Sequence, residues 1–207
     1  QPTCFSIHLS YIQKMIKHSV KVSLIVVNYN GQYYLNRLLK SIKEQTVSSH
    51  ETIIVDNDST DNSISLLSKT KYPYFLIKSK NIGYGQGCNL GATVASGQYL
   101  VFLNPDTYLD KNYLKKIIQS YSLIKKKSQK KIGCINCNIL DFESNINLSP
   151  AKVNSIIDIF GNPRGVKSKS SHNDSFVVLG TGLFIARNIF KKIGGFHPSI
   201  FLYGEEL

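Results

Sequence analysis

The sequence of 207 residues contains no tryptophan, one methionine, four cysteines and six prolines. It is also poor in acidic side chains, since 13 Asp and Glu stand against 25 Lys and Arg and leave a formal net charge of +12. No run of about 18 uncharged apolar residues occurs, which excludes a membrane-spanning helix within these residues. The small number of cysteines does not fit a disulfide-stapled secreted scaffold and favours a reducing compartment.

The composition predicts one globular domain. Apolar residues make up 42% of the chain, and their presence throughout excludes a mainly disordered polypeptide. A single domain of about 150–200 residues is the expectation for this length. We expect residues 1–20 to form an N-terminal extension, with a natural start at Met15, and residues 21–207 to form the domain, truncated at its C-terminus.

Much of the positive charge is concentrated in one segment. Eight lysines and no acidic residue lie between Lys111 and Lys131. Such a cluster favours an anionic partner, which could be nucleic acid, an anionic membrane surface or a phosphate-bearing substrate. A solvated helix face followed by a lysine-rich loop explains the cluster equally well. Nucleic acid ranks last, because aromatic residues do not interleave with the lysines as a stacking platform requires.

Two of the cysteines, Cys134 and Cys137, have CxxC spacing. No second pair of cysteines or histidines completes a zinc site. We therefore expect cysteines buried in a strand, with a metal or redox role as the alternative.

Strands alternate with helices along the chain, which predicts an α/β fold with a mostly parallel sheet and helices on both faces. The predicted strands are Val22–Asn28, residues 52–55, residues 74–77 and Tyr99–Leu103. The first predicted helix begins at Gly31, and the second follows the polar turn 56–61. The third spans residues 83–95 with Gly97 as its C-cap, and the fourth spans residues 113–124. Apolar residues at helical spacing predict the buried helix faces: Leu35, Leu38, Leu39, Ile42, Ile64, Leu67, Leu114, Ile117, Ile118 and Tyr121. We expect residues 141–175 to form a long surface loop, the predicted excursion, with one helix near residues 155–160.

Polar clusters follow three of the predicted strands, at residues 28–30, 56–58 and 104–106. Sheets of this class bind ligands beyond the carboxyl ends of their strands, where the strand order switches. Asp56 and Asp106 should therefore converge on one cleft, where oxygen ligands suit Mg²⁺ or Mn²⁺. An Asx-turn or a helix N-cap is the alternative role of Asp56.

Two further segments have a functional and a structural interpretation. Glu205 and Glu206 could supply a general base, or they could be an exposed acidic pair in the first turn of a helix. The glycines at 83, 85, 87 and 91 do not match the GxGxxG dinucleotide fingerprint and follow the third strand rather than the first. They allow close backbone approach to a ligand or close packing of helix on sheet.

Taken in order, these segments resemble glycosyltransferase family 2, whose members have the GT-A fold. The resemblance covers roughly residues 20–207 and rests on the segments 22–31 (VSLIVVNYNG), 53–61 (IIVDNDSTD), 81–91 (NIGYGQGCNLG), 103–107 (LNPDT), 180–182 (GTG), 194–196 (GGF) and 201–206 (FLYGEE). The Asn-Pro-Asp form of the fourth segment is similar to a subgroup that contains many rhamnosyltransferases.

The resemblance implies a role for each matching residue. Glu206 would be the catalytic base, and Asp106 would hold a Mg²⁺ or Mn²⁺ ion against the donor diphosphate. The donor-binding residues would be Asn28, Asn30, Asp56, Asn57, Asp58, Gly83, Asn89, Asn104 and Asp106. The acceptor-side residues would be Gly180, Thr181, Gly182 and Glu205.

The resemblance also implies an activity. A GT-A, Rossmann-like hexosyltransferase would move a sugar from a nucleoside-diphosphate sugar to an acceptor hydroxyl with inversion, in the synthesis of cell-surface polysaccharide. The acceptor would be a glycan or a lipid-linked molecule. The protein would be cytoplasmic and would associate peripherally with the inner face of the plasma membrane. It would not bind nucleic acid. The alternative is an inactive, truncated module that binds sugar nucleotides.

Overall fold

One β-sheet organises the computed structural model, which describes residues 4–7, 21–127, 132–137 and 181–198. The strands in these ranges are β1 (Cys4–Ile7), β2 (Val22–Asn28), β3 (His50–Asn57), β4 (Phe75–Ser79), β5 (Tyr99–Leu103), β6 (Cys134–Ile135) and β7 (Leu183–Ala186). The helices are α1 (Gln32–Lys43), α2 (Ser63–Lys69), α3 (Tyr84–Val94), α4 (Tyr113–Lys127) and α5 (Arg187–Lys192). None of these helices is both long and apolar enough to cross a bilayer.

The strand order in the described sheet is β1-β4-β3-β2-β5-β7-β6. Strands β4, β3, β2 and β5 are parallel, whereas β1 and β7 run against their neighbours. Strand β6 runs against β7 and therefore in the direction of β5. The predicted mostly parallel sheet is confirmed. The chain builds β3 and β4 on one side of β2 and then returns to place β5 on the other, so the order switches at β2.

Strand β2 is fully buried because helices cover both faces of the sheet. Its side chains alternate: Val22, Leu24 and Val26 join the core beneath α1, α2 and α4, and Ile25 and Val27 join the core beneath α3 and α5. A near-continuous apolar run is what a strand buried on both faces requires. The prediction of helices on both faces is confirmed.

Helices α1 and α4 bury the faces that the sequence predicts. The buried residues are Leu35, Leu38, Leu39 and Ile42 in α1, and Leu114, Ile117, Ile118 and Tyr121 in α4. The ring of Tyr121 lies 5.4 Å from that of Tyr99, at the start of β5. The hydroxyl of Tyr113, at the other end of α4, donates to the carbonyl of Gly182, 3.3 Å away. Helix α4 therefore runs antiparallel to β5.

Strand β3 is longer than predicted at both ends, because backbone pairing continues into its polar residues. Asp56 pairs with Asn28 of β2 in the parallel register, and Asn57 pairs with Ser79 of β4. Both residues belong to the strand rather than to the turn that the sequence predicted. The turn begins at Asp58, which has a positive φ of 70°.

Strand β1 lies in the segment predicted to be an N-terminal extension, and the sequence analysis did not predict this strand. Its backbone pairs antiparallel with β4, with Cys4 opposite Lys78 and Ile7 opposite Phe75. It is the edge of the sheet beyond β4. The remainder of residues 1–20 and the predicted excursion at 141–175, with its helix, lie outside the described residues.

Gly97 is not the C-cap of α3, as the sequence predicted. The helix ends at Val94, and Ala95 caps it in an extended conformation. Gly97 is instead pressed against β2: a Cβ on it would lie 2.6 Å from the backbone nitrogen of Ser23. Its N–H donates to the hydroxyl of Ser23 at 2.9 Å, and the carboxylate of Glu51 accepts hydrogen bonds from Ser23 and from the backbone N–H of Ser96.

We predict that Gly97→Ala lowers the free energy of unfolding by about 1–3 kcal/mol, because the added methyl meets backbone that cannot move aside. Urea unfolding measures the change. Gly133→Ala is the matched control, since a Cβ at Gly133 has no atom within 4 Å. Equal stability of the two variants would contradict the close approach of residue 97 to β2.

Candidate functional site

The ends of β2 and β3 are joined by a side-chain hydrogen bond. Asn28 Nδ2 donates to Asp56 Oδ1 at 2.9 Å, and the two residues face each other in the sheet register. Asn28 is fully buried and Asp56 is 4% exposed. Asp56 Oδ2 accepts from the backbone N–H of Ser59 at 3.2 Å. The carboxylate of Asp56 therefore has the turn-stabilising role considered as its alternative, and it also lies at the edge where a ligand cleft was expected.

The 29–31 turn after β2 and the 58–62 loop after β3 hold each other in place. Asn30 adopts a positive φ of 53°. Its Oδ1 accepts from the backbone N–H of Thr60 at 2.8 Å, and its own N–H donates to Ser59 Oγ at 3.0 Å. Asn30 therefore fixes the 58–62 loop beside the end of β2, whereas Asp58 is exposed at the start of this loop.

Asp61 connects the beginnings of two helices. Its Oδ2 accepts from the N–H of Gln32, the first residue of α1, and its Oδ1 accepts from the N–H of Ser63, the first residue of α2, each at 2.9 Å. Burial alone would raise the pKa of this carboxyl, but hydrogen bonds from Ser63 and Gln32 outweigh it and lower the pKa below its usual range. The charged form of Asp61 is thus the one that the fold prefers.

The 104–107 turn after β5 meets the end of β2 at Gly31. A Cβ on Gly31 would overlap Asn28 Oδ1 and would come within 2.8 Å of Pro105 Cβ. The absence of a side chain allows this contact. Asp106 follows Pro105 and is exposed. Asp56 and Asp106 therefore lie at the same edge of the sheet, as the sequence predicted.

Thr181 belongs to the predicted acceptor side, and it contacts the 104–107 turn. Its hydroxyl accepts from the N–H of Asn104 at 3.2 Å and lies 2.9 Å from the hydroxyl of Thr107. Gly182 has a positive φ of 76°, and its N–H donates to the carbonyl of Phe102 at 2.8 Å. The predicted acceptor-side and donor-side segments are thus in direct contact. Gly180, Glu205 and Glu206 lie outside the described residues.

Asn57 and Gly83 connect the end of β3 to the start of α3. Asn57 is 2% exposed, and its Nδ2 donates to the carbonyl of Gly83 at 3.0 Å. Gly83 caps α3 with a positive φ of 81°. A side chain at this backbone conformation would be strained, which is a physical reason for glycine here.

Asn89 holds the turn that contains Phe196. Asn89 Nδ2 donates to the carbonyl of Phe196, and Asn89 Oδ1 accepts from the N–H of Phe196, both at 2.8 Å. The same amide lies against Gly195, whose φ is 79°. The structure gives Asn89 this role in joining α3 to residues 195–196, and its contact with a donor stays a prediction.

Three buried amide oxygens at this edge have no hydrogen-bond partner. They belong to Asn28, Asn57 and Asn104, and they are among five such side-chain atoms in the part of the chain that the structure describes. Buried polar atoms are normally paired, so each exception calls for an explanation. These oxygens can accept hydrogen bonds from N–H or O–H groups of a ligand, or bind a hard cation.

The 104–107 turn offers few but suitable oxygen atoms for a metal ion. The carboxylate of Asp106 is exposed, and the neighbouring Asn104 Oδ1 is buried and unpartnered. The described residues contain no group of three or more His, Cys, Asp or Glu side chains that could hold a metal. This donor set fits Mg²⁺ or Mn²⁺, which use few protein carboxylates when substrate phosphates and water complete the shell.

Cys134 and Cys137 are half-buried rather than buried, which corrects the expectation for them. Cys134 lies in β6, whereas Cys137 follows this strand. Burial raises the pKa of both thiols, so the thiolate that redox chemistry and metal binding require is disfavoured. A Cβ on Gly182 would meet Cys137 Sγ at 2.7 Å, which gives this cysteine a packing role against Gly182.

The sequence analysis missed part of the site. It did not single out a set of exposed tyrosines beside the strand ends. These are Tyr29, Tyr33, Tyr34 and Tyr108. The guanidinium of Arg37 lies 5.5 Å from the ring centre of Tyr108, which ties α1 to the 104–109 segment. The available signal was the position of tyrosines directly after β2 and after the 104–107 turn.

A family model described as "Glycosyl transferase family 2" matches residues 23–126. An uncharacterized glycosyltransferase of Nostoc sp., alr2836, is 33% identical over 109 residues, which are 49% of this chain and 33% of that protein. The poly(ribitol-phosphate) beta-N-acetylglucosaminyltransferase TarS of Staphylococcus aureus is 29% identical over 102 residues, which are 46% of this chain and 18% of TarS. The chain thus spans a third or less of these two curated relatives.

Solved structures of low sequence identity show the same fold. Residues 1–349 of S. aureus TarS in complex with UDP match with a TM-score of 0.62 and 19% identity, over 87% of this chain and 51% of that one. The mannosyltransferase PcManGT from Pyrobaculum calidifontis, in complex with GDP-Man and Mn²⁺, matches with a TM-score of 0.61 and 17% identity, over 93% of this chain and 55% of that one. The predicted GT-A type of α/β fold is confirmed.

We predict that Asp61 makes stability depend on pH in the acid range. Because its pKa is lowered by folding, its contribution is present above the unfolded value of about 4 and is lost as the pH falls through the folded value. Urea unfolding at pH 7 and pH 3 should show a smaller loss of stability on acidification in Asp61→Asn than in the wild type. Asp58→Asn, exposed in the same loop, should keep the wild-type pH dependence, and an equal effect of both substitutions would contradict the assignment.

Proposed function

Because the chain belongs to glycosyltransferase family 2, we propose that it transfers a sugar from a nucleoside-diphosphate sugar to an acceptor hydroxyl with inversion at the anomeric carbon. The observation that carries this proposal is the meeting of three strand ends at one edge. Asn28 bonds to Asp56, and Gly31 contacts Pro105, so the segments that carry Asp56 and Asp106 meet at one edge of the sheet. That region lies where the strand order switches, the usual ligand position in such sheets.

The donor is proposed to bind across the ends of β2, β3 and β5. The unpartnered oxygens of Asn28 and Asn57 would accept hydrogen bonds from the base and the ribose. Asp56 would contact the base, and Asn30 and Asp58 would bind the donor beside it. Gly83 allows backbone approach at the start of α3, and Asn104 and Asp106 would face the diphosphate.

Asp106 is proposed to hold a Mg²⁺ or Mn²⁺ ion against the diphosphate, with Asn104 Oδ1 as a neighbouring oxygen. When bound, the ion neutralises negative charge that develops on the leaving diphosphate. The protein's own part is to keep the 104–107 turn rigid, through Pro105 against Gly31 and through Thr107 against Thr181. The structural relative PcManGT is a complex with GDP-Man and Mn²⁺, which supports the choice of cation.

Glu206 is proposed as the general base. Its carboxylate would take the proton of the acceptor hydroxyl while that oxygen attacks the anomeric carbon from the side opposite the diphosphate, and the bond to the diphosphate breaks. A positioned base of this kind contributes roughly 10²–10⁴-fold in rate. Gly180, Thr181, Gly182 and Glu205 would line the acceptor side.

The proposed acceptor is a glycan or a lipid-linked saccharide in the synthesis of cell-surface polysaccharide. TarS, named as a poly(ribitol-phosphate) transferase, supports an envelope polymer, and the Asn-Pro-Asp form of the 104–107 turn supports a rhamnosyltransferase-like donor preference. We place the protein in the cytoplasm, peripherally associated with the inner face of the plasma membrane.

We predict that Asp106→Ala weakens binding of a nucleoside diphosphate in the presence of Mn²⁺ roughly tenfold or more, because the carboxylate supplies the cation's protein ligand. Calorimetry with UDP, dTDP and GDP measures the change and also identifies the base. Asp110→Ala is the matched control, since Asp110 is an exposed carboxylate in the same loop that pairs with Lys116. Unchanged binding by Asp106→Ala would overturn the metal assignment.

We predict that Glu206→Gln lowers the rate of transfer at least 100-fold while leaving Mn²⁺-dependent nucleotide binding intact, because only proton removal is lost. Turnover of UDP-, dTDP- and GDP-sugars by the full chain is the measurement, and Glu44→Gln, which changes an exposed glutamate at the end of α1, is the control. A wild-type chain that binds the nucleotide yet transfers nothing would favour the alternative function, a module that only binds sugar nucleotides.

A further inference from the structure

The last turns of α4 extend beyond the core of the molecule. Tyr121 is the final buried residue of this helix, and residues 122–126 are all exposed. Ile124 follows Tyr121 by three positions and Ile117 by seven, so it continues the stripe that faces the core in earlier turns. It is nevertheless 44% exposed. The helix end therefore projects past the packed part of the sheet.

Two apolar side chains are uncovered at this projecting end. Leu123 is 56% exposed and stands next to Ile124. Single exposed leucines are ordinary, but an adjacent exposed pair directly before three consecutive lysines is a more specific pattern. It combines an apolar tip with flanking cationic side chains.

The outer surface of α4 is strongly basic along its length. Lys115, Lys116, Lys125 and Lys126 are exposed, and the sequence from residue 111 to residue 131 contains no acidic side chain. Lys116 pairs with Asp110 at 3.2 Å, but both groups are exposed, so the pair is weak. Lys125 follows the buried Ile118 by seven positions and therefore lies on the side of the helix that faces the core in earlier turns. We call Lys115, Lys116, Leu123 and Lys126, with Ile124 at their border, the basic face of α4.

We propose that the basic face of α4 docks on an anionic lipid bilayer, with Leu123 and Ile124 entering the boundary between headgroups and acyl chains. Interfacial helices bind membranes through buried apolar area together with attraction between lysines and anionic lipid. Each lysine near such a surface adds about fivefold in affinity. An anionic bilayer would contact both the lysines and the exposed apolar side chains of the basic face.

Other partners use only one of the two features. A nucleic acid would satisfy the lysines but would leave Leu123 and Ile124 against phosphates, and the exposed tyrosines that could stack on bases lie beside the candidate site instead. A second copy of the chain, related by a two-fold axis, would bring like-charged lysines together. The bilayer is therefore the partner that the chemistry of this face favours.

The placement of α4 relates this face to the candidate site. The first residue of the helix contacts Gly182, at the edge that holds Asp106, and the helix then runs to the opposite edge near Tyr99. From Lys115 to Lys126 the face is roughly 16 Å long, at about 1.5 Å per residue. A helix lying in the membrane plane would leave the candidate site at the side of the molecule, next to the bilayer surface.

This inference names the surface for the membrane association within the proposed function, and it does not require that a sugar be transferred. Its test is the sedimentation of the full chain with vesicles of phosphatidylcholine alone or with about one third phosphatidylglycerol. We expect binding to the anionic vesicles only, weaker at higher salt. Nucleotide binding, measured separately, should be unchanged in all the variants below, so failure of the enzyme proposal and failure of this one are distinguishable.

Lys115→Glu/Lys126→Glu should weaken vesicle binding at least tenfold. Lys191→Glu/Lys192→Glu, which removes the same charge from the exposed end of α5 on the other face of the sheet, should change it by less than about threefold. Leu123→Ser should weaken binding several-fold without lowering the melting temperature, because the side chain is exposed.

Equal binding to neutral and anionic vesicles would overturn the proposal, as would equal losses in the two double variants. A loss below twofold in Leu123→Ser would contradict insertion of the apolar pair. Binding of duplex DNA that is tighter than vesicle binding and that is abolished by Lys115→Glu/Lys126→Glu would assign the face to nucleic acid instead.

Discussion

The hydrogen bond between Asn28 and Asp56 is the interaction on which the candidate site depends. It requires β2 and β3 to pair in parallel with these two residues opposite each other, which sets the register of the central sheet. A slip by one residue would turn every side chain of a strand to the other face. The same Asn28 also donates to Ser59 at 3.0 Å, so the register of two strands and the position of the 58–62 loop are fixed together.

The two edges of the sheet use polar residues differently. At the amino ends of β2 and β3, the buried carboxylate of Glu51 is surrounded by donors from Ser23, Ser96 and Gly97. At the carboxyl ends, the oxygens of Asn28, Asn57 and Asn104 lack partners. A buried polar group without a partner costs free energy, so the polar network at the amino ends is satisfied, whereas the one at the carboxyl ends is not.

The apolar pattern predicted the central strands and helices well, because burial on one or both faces leaves a clear period in the sequence. Strands β2 and β5 have the predicted bounds, and the buried faces of α1 and α4 hold the expected residues. The nearness of Asp56 and Asp106 was predictable too, since parallel strands end at one edge. The position of Gly97 against Ser23 was not, and neither was the pairing of Asn89 with Phe196, 107 positions away in the sequence. Such contacts depend on how distant segments pack, and the spacing of residues within a short segment does not predict them.

The antiparallel pairing of β5 with β7 has a consequence for how the protein is made. Strand β5 pairs with β2 on one side and with β7 on the other. The parallel core β4-β3-β2-β5 is complete once residue 103 has left the ribosome, yet β5 is an unprotected edge until residue 186 follows. Unpaired edges invite association with other chains, and nascent chains grow by only about 5–20 residues per second. The newborn polypeptide thus passes several seconds with its parallel core assembled while β5 still lacks the strand that covers its outer edge.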